Sequence, residues 1–108
     1  MCTVRGMTVK LVVLYTHPED SDAFDRHYLG THLLLVSGLP GLQRAESGRF
    51  TAALDSGGQT YYRAAALYFA DRQILMKALG SDAGKATAAD YQQIAPPGSR
   101  MFIEVLDE

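Results

Sequence analysis

The sequence predicts an α+β protein in which two helical regions lie on one face of a four-stranded antiparallel sheet. Three observations carry this. Runs rich in strand formers open at residues 9, 42, 60 and 101. Apolar residues recur at helical spacing from Phe24 to Leu35 and again from Ile74 to Ile94. The two kinds of stretch follow one another as β-α-β-β-α-β.

Taken in order, residues 9–15 form the first strand, apolar on both faces, with Val9, Leu11, Val13 and Tyr15 on one side and Lys10, Val12 and Leu14 on the other. The first helix begins near Pro18, which suits a first turn, or behind Ser21 as N-cap, and Glu19, Asp20 and Asp22 place negative charge at its positive end. It runs to about residue 37, where Gly38 and Pro40 stop it. Phe24, Tyr28, Thr31 and Leu35 make the stripe that faces the sheet, and Leu29, Leu33 and Val36 make a second apolar patch that points to burial against a partner chain. Residues 42–54 form the second strand, broken near Gly48, and residues 55–59 a turn. In the third strand, residues 60–70, Tyr61 and Tyr62 fall on opposite faces, and the small side chains of Ala64 and Ala66 leave room over the sheet. Asp71 caps a second helical region with Ile74, Leu75, Ala78 and Leu79 inward. Gly80 interrupts it, and Ser81 caps a further piece with Ala83, Ala86, Tyr91 and Ile94 inward. Residues 101–106 close the sheet.

This is the ferredoxin-like pattern, with spatial strand order 4-1-3-2. It makes the first and last strands antiparallel neighbours, so that Lys10 and Glu104 can pair across the ladder. The strands are too apolar on both sides to leave one face in water, and two sheets stacked in a homodimer would cover it.

Composition narrows the class of function. The 108 residues are 47% apolar and 20% charged, which describes one ordinary domain, here residues 7–107, behind a short extension at residues 1–6. The extension is set apart because Met7 directly precedes the first strand, as an alternative start would. A net charge of −2 without a basic cluster argues against nucleic acid. No apolar run approaches the ~20 residues of a membrane span. The opening MCTVRG lacks the apolar segment of a signal peptide, so a cytoplasmic setting is expected. A single cysteine, Cys2, excludes an internal disulfide and a cysteine-based zinc cluster.

Phe24, Tyr28, the run Gly30-Thr31-His32 and the following Leu39-Pro40-Gly41-Leu42 resemble the signature of the EthD family, named for its association with gene clusters for ethyl tert-butyl ether degradation. The first strand, the end of the third at Tyr68-Phe69, and Ser81 followed by Asp90 are similar to it as well. The resemblance spans about residues 7–106 and implies a dimeric α+β barrel with a cavity. Similar barrels include cofactor-independent monooxygenases, polyketide cyclases, muconolactone isomerases and haem binders, so the resemblance fixes the fold better than the reaction.

His32 is the first candidate for chemistry. An imidazole beside an apolar cavity can take a proton from a carbon next to a carbonyl, the step shared by isomerisation, cyclisation and oxidation of an activated phenol. Tyr28, one turn earlier, can orient it or donate to a developing oxyanion. Tyr15, His17, Phe24, Leu35, Tyr61 and Tyr62 are the candidate ligand contacts. Arg44, Arg49 and Arg63 could each bind a carboxylate but are expected to be solvated, and Asp90 to be a local tie. His27 and His32 lie five residues apart, on different faces of an α-helix, and so cannot share one ion; no metal is expected. No phosphate loop or nucleophile motif is present, and no cofactor is expected. The expected function is binding of a small apolar or aromatic, oxygen-bearing molecule, with cofactor-free acid/base catalysis of the cyclase, isomerase or monooxygenase type. The alternatives are a non-catalytic binding protein serving a degradative or biosynthetic pathway, and a haem-binding barrel with a histidine ligand.

Overall fold

Strand β1 (Val9–Thr16) runs through the middle of the sheet, and its alternation governs what packs on either side. The computed structural model describes residues 8–58 and 60–107; the extension expected at residues 1–6 lies outside them. Val9, Leu11, Val13 and Tyr15 are buried beneath the helices, while Lys10, Val12, Leu14 and Thr16 are half-buried on the outer face. Strands β3 (Tyr61–Phe69) and β4 (Arg100–Val105) flank β1, and β2 (Arg44–Arg49) lies outside β3. Every neighbouring pair is antiparallel, so the spatial order is the expected 4-1-3-2. Lys10 stands opposite Glu104, with Nζ 3.2 Å from Oε1.

β2 is shorter than the sequence predicts. Hydrogen bonds from Gln43 N to Tyr68 O and from Phe50 N to Tyr62 O extend its pairing by one residue at each end, and the chain then leaves the sheet. All six of its residues are exposed. The expectation of strands apolar on both faces therefore fails for β2, where charged side chains line a sheet edge.

The first helix is continuous but not uniform. It is α-helical over α1 (Ser21–His27), π-helical over Tyr28–His32, and α-helical again over α2 (Leu33–Ser37). Its N-cap is Asp20, whose Oδ1 accepts from Ala23 N at 3.0 Å, so Pro18 precedes the helix and Ser21 is its first residue. In the π segment Leu33 N donates to Tyr28 O, five residues back. The wider turn absorbs one extra residue, so the inward stripe slides by one position after Tyr28. Phe24, Tyr28, His32 and Val36 are buried, whereas Thr31 is exposed and Leu35 only half-buried. This corrects the stripe read at constant helical spacing, and it moves Val36 from the expected outer patch into the core.

The chain then turns at Gly41, whose φ of 80° lies in the left-handed region, toward β2. Helices α3 (Arg72–Gly80) and α4 (Asp82–Ile94) are capped as expected: Ile74 N donates to Asp71 Oδ1 at 2.8 Å and Gly84 N to Ser81 Oγ at 3.0 Å. On α4, Ala83, Tyr91 and Ile94 are half-buried as expected, whereas Ala86 is exposed and Thr87 and Asp90 are half-buried beside them. Among the described residues no helix is long and apolar enough to cross a membrane.

Candidate functional site

The core between helices and sheet does not close completely. It leaves a cavity of about 350 Å³. Leu11, Val13, Ala65 and Leu67 form its floor, with Tyr15 at one end. Tyr28, His32 and Val36 of the first helix and Thr87 and Tyr91 of α4 form its walls. Met76 and Met101 edge its mouth, each a little under half exposed. The small side chain that makes room here is Ala65; Ala64 and Ala66 lie on the outer face of the sheet.

His32 reaches this wall because of the π segment, and it is only 4% exposed. Its Nδ1 lies 2.7 Å from Oδ2 of Asp90, and His27 Nε2 lies 2.8 Å from Oδ1 of the same carboxylate. In a regular α-helix two residues five apart point roughly 140° away from each other. The π turn closes that angle, so the two histidines share a partner that constant spacing denies them. Burial works to raise the pKa of Asp90. The hydrogen bonds from His27 and His32, and their charge, outweigh it and hold the carboxyl below its ordinary range. The imidazole of His32 stacks on Tyr28, with ring centres 5.5 Å apart and planes 26° from parallel.

Aromatic rings pack the end of the cavity. Tyr15 meets Phe24, Tyr28 and Tyr91 at 5.3, 5.5 and 5.7 Å between centres. Burial pushes the phenols of Tyr15, Tyr28 and Tyr91 up, so all three stay protonated at neutral pH; at Tyr28 a hydrogen bond with Ser47 and the charge of Arg63 oppose the rise.

A second polar cluster braces Tyr28 from behind. Arg63 is buried, against the expectation of a solvated side chain. It stays buried because its Nη2 donates to Asp25 Oδ1 at 3.0 Å and its guanidinium carbon sits 4.7 Å from the Tyr28 ring centre. A shift of register opposite Tyr15 and Thr16 leaves Tyr62 without a partner in β1, as in a β-bulge. Its hydroxyl donates to Asp25 Oδ2 at 2.6 Å. Burial works to raise the pKa of Asp25, and the hydrogen bonds from Tyr62 and Arg63 lower it further than burial raises it.

Of the residues singled out from sequence, His32, Tyr28 and Tyr15 line the cavity, and Phe24 packs behind them. Tyr62 joins the Asp25 cluster, and exposed His17 sits 5.7 Å from its ring. Leu35 and Tyr61 lie outside the cavity wall, Leu35 because the π turn gives its place to Val36. Asp90 and Tyr91 are the residues that sequence reading undervalued. Thr87, Asp90, Tyr91 and Ile94 fall at i, i+3, i+4 and i+7, and an acid inside such an inward stripe signals a buried partner.

The EthD domain model matches residues 16–96, three quarters of the chain, from the end of β1 to the close of α4. This chain belongs to the EthD family. An uncharacterized 11.0 kDa protein from the thcB-thcC intergenic region of Rhodococcus erythropolis is 34% identical over 93 residues, which cover 86% of this EthD chain and 89% of that protein. The crystal structure of an EthD family protein from Bacillus halodurans superposes with a TM-score of 0.87 at 34% identity, over 94% of this chain and 100% of the other. A dimeric ferredoxin-like protein of unknown function from Thermobifida fusca shares the fold alone, with a TM-score of 0.71 at 13% identity over 96% and 95% of the two chains.

Proposed function

We propose that this EthD protein takes a small apolar molecule carrying an oxygen function into the cavity and removes a proton from it with His32, without a cofactor. The observation that carries the reading is a buried imidazole on an apolar cavity wall with its Nδ1 held 2.7 Å from Asp90. A carboxylate accepting from Nδ1–H selects one tautomer and leaves the Nε2 lone pair to act as base. It also steadies the imidazolium that forms once the proton is taken. Tyr28 keeps the ring in plane by stacking, and the protonated phenols of Tyr15 and Tyr91 supply donors for an oxyanion developing beside them. An enolate formed in this way is the common precursor of isomerisation, cyclisation and reaction with oxygen.

The same proposal includes a homodimer. Val12, Leu14, Ala64, Ala66 and Phe102 form an apolar outer sheet face that one chain leaves partly open, and the Thermobifida fusca neighbour is described as dimeric.

The experiment is hydrogen–deuterium exchange at the α-carbons of 2-octanone in D2O, followed by NMR, with wild type and His32→Ala. Wild type is expected to accelerate exchange and the variant to lose at least a hundredfold of that acceleration. Equal rates in the two would overturn the base role. Ligand binding without exchange in either would identify a binding protein instead.

A further inference from the structure

Resting on that reading, we propose that the cavity selects an uncharged amphiphile, with its ketone- or phenol-type oxygen at the histidine end and an apolar tail toward the methionines, and that it excludes carboxylates. The argument begins with what lines the space. Among the described residues the lining contains no lysine, arginine, aspartate or glutamate. Its polar side chains are those of His32, Thr87, Tyr15, Tyr28 and Tyr91, and the Tyr28 hydroxyl already bonds Ser47. The hydroxyl of Thr87 is already committed to Ala83 O at 2.8 Å. The phenols can donate to, or accept from, one oxygen but cannot neutralise a charge, and the imidazole already faces the carboxylate of Asp90 on its Nδ1 side.

The cation behind Tyr28 is already paired. Arg63 lies behind Tyr28, outside the lining, and is held by Asp25. The charge closest behind His32 is the carboxylate of Asp90, shared by two histidines. An anionic head placed against His32 would lose its water, find no cation and face a like charge across one imidazole ring. Such a burial is strongly unfavourable even after partial hydrogen bonding, while a ketone loses little.

The mouth sets looser demands. Tyr15, Tyr28, Tyr91 and His32 stand ring against ring at one end, whereas Met76 and Met101 edge the mouth. Unbranched thioethers adapt to many shapes. Selection is therefore strict at the head and tolerant at the tail.

The test compares 2-heptanone, 2-octanone and 2-nonanone with heptanoate, octanoate and nonanoate at pH 7. Calorimetry supplies affinities, and 13C-methyl methionine NMR reports where the ligands sit. The ketones are expected to bind and to shift the Met76 and Met101 methyl signals, and each matched carboxylate to bind at least about a hundredfold more weakly. Carboxylates within tenfold of the ketones, ketones that fail to bind up to their solubility, or binding that leaves both methyl signals unmoved would each overturn the proposal. His32→Ala should keep the preference for ketones, since the lining sets it. Exchange chemistry with no such preference sinks this inference alone. A preference without His32-dependent exchange sinks the catalytic reading and leaves this one standing.

Discussion

Oδ2 of Asp90 lies 2.7 Å from Nδ1 of His32, on an element that the sequence separates from it by a strand hairpin and a helix. The contact gives the cavity an oriented imidazole. It predicts that Asp90→Asn, which keeps the shape and removes the charge, slows ketone α-exchange about ten- to hundredfold while the circular dichroism spectrum is unchanged. An unaffected rate would mean that Asp90 only braces the helices.

Asp25 and Asp90 both have carboxyl groups held below their ordinary pKa by hydrogen-bonded partners. A carboxyl depressed in the folded state binds protons more readily once unfolded. Its stabilisation is complete above the unfolded value of about 3.9 and fades as pH falls through the folded value. Urea unfolding of wild type and Asp90→Asn between pH 7 and pH 3 should show a gap that is present above about pH 4 and narrows below it. A gap that widens in acid would reverse the sign.

The π turn behaves as a one-residue insertion in an α-helix. Removing Gly30, whose surroundings hold no atom within 4 Å of a would-be Cβ, should restore a regular helix with His27 and His32 four residues apart and the inward stripe intact. Stability is expected to stay within about 1 kcal/mol of wild type, since the deleted glycine itself costs about that much in a helix. Adding an alanine after Thr31 should rotate Val36 and Leu39 out of the core and cost several kcal/mol. Denaturant midpoints of the two variants decide it.

Two glycines mark close approaches. A Cβ at Gly84 would run into the backbone carbonyls of Ala78 and Leu79, where α4 starts against the end of α3. At Gly41 it would meet Ile74 Cγ2 at 2.5 Å on a backbone with φ of 80°. Gly84→Ala is expected to cost upwards of about 3 kcal/mol, because the obstacle is backbone, and Gly41→Ala about 1–3 kcal/mol, because a side chain can yield. Thermal melts should rank them in that order.

If the outer sheet faces pack in a homodimer, a charge placed at the middle of that face must prevent it. Leu14→Glu is expected to sediment as a folded monomer at micromolar concentration where wild type sediments as a dimer. A wild-type monomer would remove the homodimer from the proposal.

The strand order and the Lys10–Glu104 pair were readable from alternation and element order because a sheet has a period of two and few antiparallel ways to connect βαββαβ. The caps at Asp71 and Ser81 were readable because they are local. His32 and Tyr28 stood out through the motif that resembles the EthD signature. Leu35 was misplaced because spacing arguments assume a constant turn.

Local chemistry and periodicity thus determined the strand order and the caps at Asp71 and Ser81, and the motif around Tyr28 and His32 pointed to the family. The tertiary structure decided the rest, for reasons of packing. A π turn has no strong residue code; it is held by what the helix must present to the core, here Phe24, Tyr28, His32 and Val36 together. Asp90 and Arg63 looked like ordinary polar residues until the fold set His27 and His32 beside one and Asp25 beside the other. A buried charge is stable only with its partners in place, and those partners came from distant parts of the chain.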